Sequence, residues 1–359
     1  MKNVEELSDS CIELLQQLIS VESISGNEFE TANLIQHFLA KNNCGIKRVN
    51  NNIISMNSKF DTSKPTILLN SHHDTVKPNE SYTRNPYLAS IEDGKLYGLG
   101  SNDAGGSLVA LIAVYIHFNS KTNLPFNIIF AASAEEENSG KNGFESIIAH
   151  LPKINLAIVG EPTCMKLAIA EKGLLVIDAI SHGIAGHVAH SNTINAITSA
   201  LKDIETLNAL TFEKKSNFLG DVKLSVTQIY GGKQHNVVPD TCSFVIDVRI
   251  NDCYSNQEVF DIIQSNIQST LKARSFHLNP SSIPIDHSIV NVANKLDIPL
   301  FGSNTLSDQA LMPFPSVKIG PGDSIRSHTA DEFIYVDEIK TGIKKYIHLI
   351  NNLANETLG

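Results

Sequence analysis

Five short stretches of this chain bring imidazoles and carboxylates together in a pattern suited to holding metal ions. Ser71-His72-His73-Asp74 contains a His-x-Asp, in which His72 can bind a metal while Asp74 accepts its other ring N–H. Such a contact fixes the tautomer and raises the basicity of the ligand. Read alone, the same residues are a pair of loop histidines. Tyr97-Gly98-Leu99-Gly100-Ser101-Asn102-Asp103-Ala104-Gly105-Gly106 starts like a dinucleotide fingerprint, but Asp103 stands where the third glycine belongs. A carboxylate there repels a pyrophosphate instead of cradling it. In isolation Asp103 reads as a helix N-cap.

Three consecutive acids, Glu135-Glu136-Glu137, are ordinarily a solvated loop or helix start. Here they follow the apolar Ile128-Ile129-Phe130 and precede Gly140 and Gly143. Acids forced to a strand end beside other acids need a cation between them, so one glutamate can bind metal while its neighbour stays free as a base. In Gly160-Glu161-Pro162-Thr163, Pro162 restricts the backbone, and Glu161 does not simply begin a helix. The fifth stretch, residues 320–332, carries His328 in what reads alone as a simple connection. Together the five supply two histidines and three carboxylates, enough for two ions sharing one bridging carboxylate. Zinc suits that mixture, with cobalt or manganese as alternatives.

The elements that must position these residues alternate in type. Leu7, Cys11, Leu14, Leu15 and Leu18 recur at helical spacing, and a second helix is predicted over 28–39. Strands are predicted at 66–70, 126–132, 156–159 and 316–319, with helices over 108–118, ending at 146–151, and over 336–353. Four of the five stretches follow a predicted strand and the Asp103 stretch opens a helix; open α/β sheets collect ligands at the carboxyl ends of their strands. After Gly173 the texture changes to strands at 176–180, 222–229 and 244–250, with helices over 194–207 and 258–271. The expected fold is α/β: a mainly parallel sheet domain, residues 1–173 plus 284–359, with a smaller α+β domain inserted at 174–283.

Composition narrows the function classes. The 359 residues suit about two domains. With 28 basic and 38 acidic side chains, the net charge of -10 shows no basic excess for nucleic acid. No apolar run approaches the ~18 residues that span a bilayer. Acids at Glu5 and Glu6 stand where a signal peptide would be apolar, and five scattered cysteines read as reduced thiols, so a cytoplasmic location is expected.

On these five motifs and their order, the chain resembles the aminoacylase, acetylornithine deacetylase and succinyl-diaminopimelate desuccinylase family of dinuclear metallohydrolases, over nearly its whole length. The resemblance implies two zinc ions, His72 binding one and His328 the other, with Asp103 bridging. It implies Glu161 at the first ion, Glu137 at the second, Asp74 behind the histidine and Glu136 as general base. Gly186-His187-Val188-Ala189-His190 resembles the family segment whose histidine stabilises the oxyanion, in dimeric members from the partner subunit. Segments with Asn236 and Arg249 resemble those that hold the substrate's carboxylate, although an arginine in a strand is commonly a surface ion pair. The resemblance further implies a ferredoxin-like lid and dimerisation domain, and a homodimer. The chain departs from the family in having Ala104-Gly105-Gly106-Ser107 where many members have Met-Lys-Gly-Gly.

The expected reaction is hydrolysis of the N-acyl amide of a small amino acid, N-acetylornithine or N-acetylcitrulline or a succinyl counterpart, as in arginine biosynthesis. Succinyl-diaminopimelate desuccinylation and di- or tripeptide hydrolysis are alternatives that share the metal core. A non-catalytic binding descendant would be expected to have lost a ligand or the base, and every such position is filled.

Overall fold

The computed structural model describes residues 3–119, 121 and 123–356. The chain divides into two compact units, one of Met1–Ile169, Ile283–Phe301 and Ser307–Gly359, the other of Ala170–Ser282 and Gly302–Leu306.

The first unit is built on a sheet whose centre is parallel. Thr66–His72 runs parallel to Asn127–Ser133 on one side and Leu156–Val159 on the other, and Ser316–Lys318 continues parallel to Leu156–Val159. Asn52–Met56 and Lys47–Val49 extend the sheet antiparallel beyond Asn127–Ser133. Successive residues of the central strands face opposite sides: Ile67 and Leu69 join one core cluster and Leu68 the other. Ile128 and Phe130 likewise oppose Ile129 and Ala131. Both faces are apolar because both are covered, which is why these strands read as unbroken hydrophobic runs. The helix Gly106–Asn119 is buried around nearly its whole circumference, packed with Val4–Ile19 and Val336–Leu353.

A small three-stranded antiparallel sheet, Phe333–Tyr335, Lys95–Tyr97 and Ser90–Glu92, was not legible in the sequence. It lays the segment after His328 against the one before Asp103, pairing Phe333 with Tyr97.

The second unit has one four-stranded antiparallel sheet in the order Lys223–Gly231, Thr241–Ile250, Gly173–His182, Thr270–Ala273. With the helices Ala196–Ala209 and Asn256–Asn266, the chain order is β-α-β-β-α-β, the ferredoxin-like arrangement. Phe244, Ile246, Val248 and Ile250 alternate into the helix-covered core, leaving Asp247 and Arg249 on the opposite face. The helix expected over 258–271 ends at Asn266 instead, and Thr270–Ala273 is a strand. Asp203 captures the N–H groups of Gln268 (3.1 Å) and Ser269 (2.8 Å), turning the chain into the sheet. No helix among the described residues is long and apolar enough to cross a membrane.

Candidate metal centre

His72 closes the strand Thr66–His72, and its ring is buried. Its Nδ1 lies 3.1 Å from the Asp74 carbonyl oxygen and 3.3 Å from Asp74 Oδ1, leaving Nε2 pointing at acids. Nε2 is 3.4 Å from Asp103 Oδ1, 3.7 Å from Glu161 Oε1 and 3.9 Å from Glu136 Oε2. On the other side of Asp103, Oδ2 is 3.7 Å from His328 Nε2, which lies 3.0 Å from Glu137 Oε2. The two oxygens of Asp103 therefore face two different imidazoles, each accompanied by its own glutamate. Donor atoms of His72, Asp103 and Glu137 all lie within 4.8 Å of one another.

Backbone features aim these groups. Asp103 sits at non-helical φ -117, ψ 99 in the π-helical turn Ser101–Gly105, before the helix Gly106–Asn119. It is not an N-cap; its side chain meets His72 and Ser327. Gly320 brings the segment that leads to His328 against Glu161: a Cβ there would stand 2.4 Å from the Glu161 carbonyl oxygen. Asp74 accepts the N–H groups of Glu136 and Glu137, both at 3.1 Å, fixing the acidic turn. Glu135 turns away and accepts the N–H of Asn142 instead.

The electrostatics describe a site short of positive charge. Burial pushes the Glu136 carboxyl well above the usual range and Glu161 up to about 8. Burial opposes charge on His72 too, yet Glu136, Asp103, Asp74 and Glu161 hold its pKa well above the ordinary imidazole value. A hydrogen bond to Glu137 raises His328 to about 9. Buried carboxylates gathered this closely require compensating cations. Imidazole and carboxylate oxygen are the donors that zinc, cobalt or manganese accept. The residues fit metal ions.

The profile of Peptidase family M20/M25/M40 matches residues 68–352. The chain belongs to this family of hydrolases. Similar curated proteins include the succinyl-diaminopimelate desuccinylase of Rickettsia bellii, 29% identical over 265 residues. That match spans 68% of this chain and 66% of the relative. The acetylornithine deacetylase of Buchnera aphidicola subsp. Schizaphis graminum is 26% identical over 379 residues, 96% of this chain and 98% of the relative. An M20 family metallo-carboxypeptidase from Sulfolobus solfataricus shares the fold, with TM-score 0.78 at 18% identity over 97% of this chain and 100% of the other.

The other residues expected at the site, His187, Asn236 and Arg249, lie in the second unit of this M20 chain. His187 is exposed on the short strand Gly186–His187, which pairs with Val237–Val238, and its Nδ1 accepts the Ala189 N–H at 3.2 Å. Asn236 is exposed and accepts the Val188 N–H through its carbonyl oxygen. Arg249 is held by Asp247, two residues earlier on the same strand face, with Nε at 2.8 Å and Nη2 at 3.1 Å from the two carboxylate oxygens.

Sequence reasoning missed two buried acids near the metal centre. Asp308 accepts a hydrogen bond from the Ser133 hydroxyl, and burial pushes its carboxyl up to about 6. No motif marks it, because only the fold brings it to the strand carrying Ser133. Glu332 accepts three backbone N–H groups of the Asp103 turn. Its position four residues after His328 is a signal that could have drawn notice.

Proposed function

We propose that this M20 chain hydrolyses the N-acyl amide of a small, carboxylate-bearing amino-acid derivative at a two-ion centre. The observation that carries the reading is Asp103, with Oδ1 toward His72 and Oδ2 toward His328. Asp103, His72 and Glu161 would hold one ion; Asp103, His328 and Glu137 the other. Zinc or a similar divalent ion supplies acidification of water and polarisation of the amide carbonyl when bound.

Glu136 stands close enough to the ligands to exchange a proton across the centre while its neighbour Glu137 pairs with His328. It takes the proton of the attacking water and delivers it to the leaving amine. Asp74 keeps the His72 Nε2 facing the site and the acidic turn in register. His187 donates to the developing oxyanion, and Arg249 grips the substrate carboxylate as a planar two-donor fork. Arg249 does so in competition with Asp247. The second unit acts as lid and dimerisation domain, with His187 reaching the partner's centre in a homodimer.

Among substrates, N-acetylornithine, N-acetylcitrulline and their succinyl counterparts carry the scissile bond and the carboxylate. The name of the Rickettsia bellii relative favours a second reading of the same bond type, N-succinyl-diaminopimelate. A di- or tripeptide has the same features.

The test is metal content followed by amine release from each of these substrates. About two ions per chain, turnover of one acyl substrate and loss of activity to chelator support the reading. Two ions with turnover of peptides alone shift it to a peptidase. A folded protein that takes up no metal overturns it.

A further inference from the structure

Four residues beyond His328, Glu332 is 2% exposed. Its Oε2 accepts the N–H of Gly100 at 3.0 Å, and its Oε1 accepts those of Asn102 (2.8 Å) and Asp103 (2.9 Å). Its carbonyl oxygen takes the Gly98 N–H at 3.0 Å. One residue thus gathers four backbone amides of the turn that ends in Asp103. The first amides of a helical turn have no intrahelical partner, and their dipoles favour a carboxylate. Gly100 adopts φ 73, and a Cβ there would stand 2.6 Å from Thr75 Cγ2, so glycine permits the bend.

The stitching runs in the opposite direction as well. Fully buried Asn102 accepts the Asp323 N–H (3.1 Å) and donates to the Asp323 carbonyl (3.1 Å) and to Ser327 Oγ (3.4 Å). Asp331, between His328 and Glu332, accepts the N–H groups of Thr83 and Arg84, both at 2.9 Å. Both carboxylate oxygens of Glu332 are spent on amides, and neither serves as a free metal donor.

The geometry points to Glu332 as a positioning residue of the metal centre: it clamps the Asp103 turn to the segment that carries His328. The spacing between the bridging carboxylate and the second imidazole is set through that clamp. This rests on the two-ion reading proposed above.

The experiment is cobalt titration of the metal-free wild type, Glu332→Gln and Glu332→Asp, followed by calorimetry and by visible absorption of the bound Co2+. Thermal unfolding of each metal-free protein is measured in parallel. Wild type should bind two ions. Glu332→Gln should lose roughly 10–100-fold in affinity for one of them, the usual cost of removing a group that orients a ligand, with an altered Co2+ spectrum. Its metal-free protein should still unfold cooperatively, at a lowered midpoint, because the new amide nitrogen faces a backbone N–H that a carboxylate oxygen accepted. Glu332→Asp should fall between the two in affinity.

Glu332→Gln isotherms and spectra that superimpose on those of wild type overturn the inference and leave the two-ion reading standing. Failure of both variants to fold without metal also overturns it, reducing Glu332 to a cap on the turn. A wild type that binds no cobalt sinks the two-ion reading itself, and the inference with it.

Discussion

Asp74 Oδ1 accepts the backbone N–H of Glu136 at 3.1 Å while lying 3.3 Å from the His72 ring nitrogen. One carboxylate oxygen thereby orients a metal-site imidazole and the turn that carries the proposed base. Burial opposes its ionisation, but His72 and Ser25 bring the carboxyl down to about 2. Asp74→Asn leaves a single acceptor oxygen and no charge. The expected outcome is a roughly 10–100-fold loss of metal affinity, read by titration of the metal-free protein. Unchanged affinity would confine Asp74 to packing.

Glu136→Gln tests the base. Metal content should stay at the wild-type value, because Glu136 is not assigned as a ligand. The turnover number should drop about 10²–10⁴-fold, the usual contribution of a positioned proton carrier. A variant that keeps near-wild-type turnover with both ions bound would return Glu136 to the role of a neighbouring acid.

The Asp247–Arg249 pair gives a paired test of substrate binding. Arg249→Ala should raise KM for a carboxylate-bearing substrate, with a loss of about 1.5–3 kcal/mol in kcat/KM for a hydrogen bond to a charged group. Asp247→Asn loosens the competing grip and should lower KM. If Asp247→Asn leaves KM unchanged and Arg249→Ala only reduces thermal stability, the pair is a surface ion pair and another group holds the carboxylate.

Thiol reactivity follows burial. Burial pushes the Cys44 thiol up to about 11, and the Asn119 hydrogen bond only partly opposes this. Thiolate is the reactive form, so at pH 8 the buried Cys44 should resist alkylation, as should buried Cys11 and Cys242. Cys164 is exposed and should label first. Raising the pH toward 11 increases the Cys44 thiolate fraction, and its labelling should rise accordingly. Mass spectrometry of the native protein after brief alkylation would show the order, and rapid labelling of Cys44 at pH 8 would contradict its burial.

Much of the first unit was legible because its strands are buried on both faces. Residues 66–70, 126–132 and 156–159 read as apolar runs, and an apolar run is local information. The helix Val336–Leu353 was legible for the same reason, since Ile339, Ile343, Tyr346 and Ile350 recur at helical spacing and are buried. The short strands Lys95–Tyr97 and Phe333–Tyr335 carry no such signal, being three residues long and partly exposed. The strand Thr270–Ala273 was hidden because Leu271 also continues a helical pattern; Asp203, far away in sequence, ends the helix.

The sequence by itself determined which residue types stand at the strand ends, and so which metal chemistry the chain can support. Local texture and order marked the stretches that hold His72, Asp103, the run Glu135-Glu136-Glu137, Glu161 and His328, while the separate roles within them were implied only by the family resemblance. Only the tertiary structure decided the partnerships: that Asp103 divides its oxygens between two imidazoles, that Asp308 meets Ser133, and that Glu332 clamps a turn 229 residues earlier in the chain. The physical reason is that hydrophobic periodicity reports burial along the chain. A buried carboxylate is satisfied by whichever amides and imidazoles the packed elements bring to it, and their sequence separation leaves no local trace.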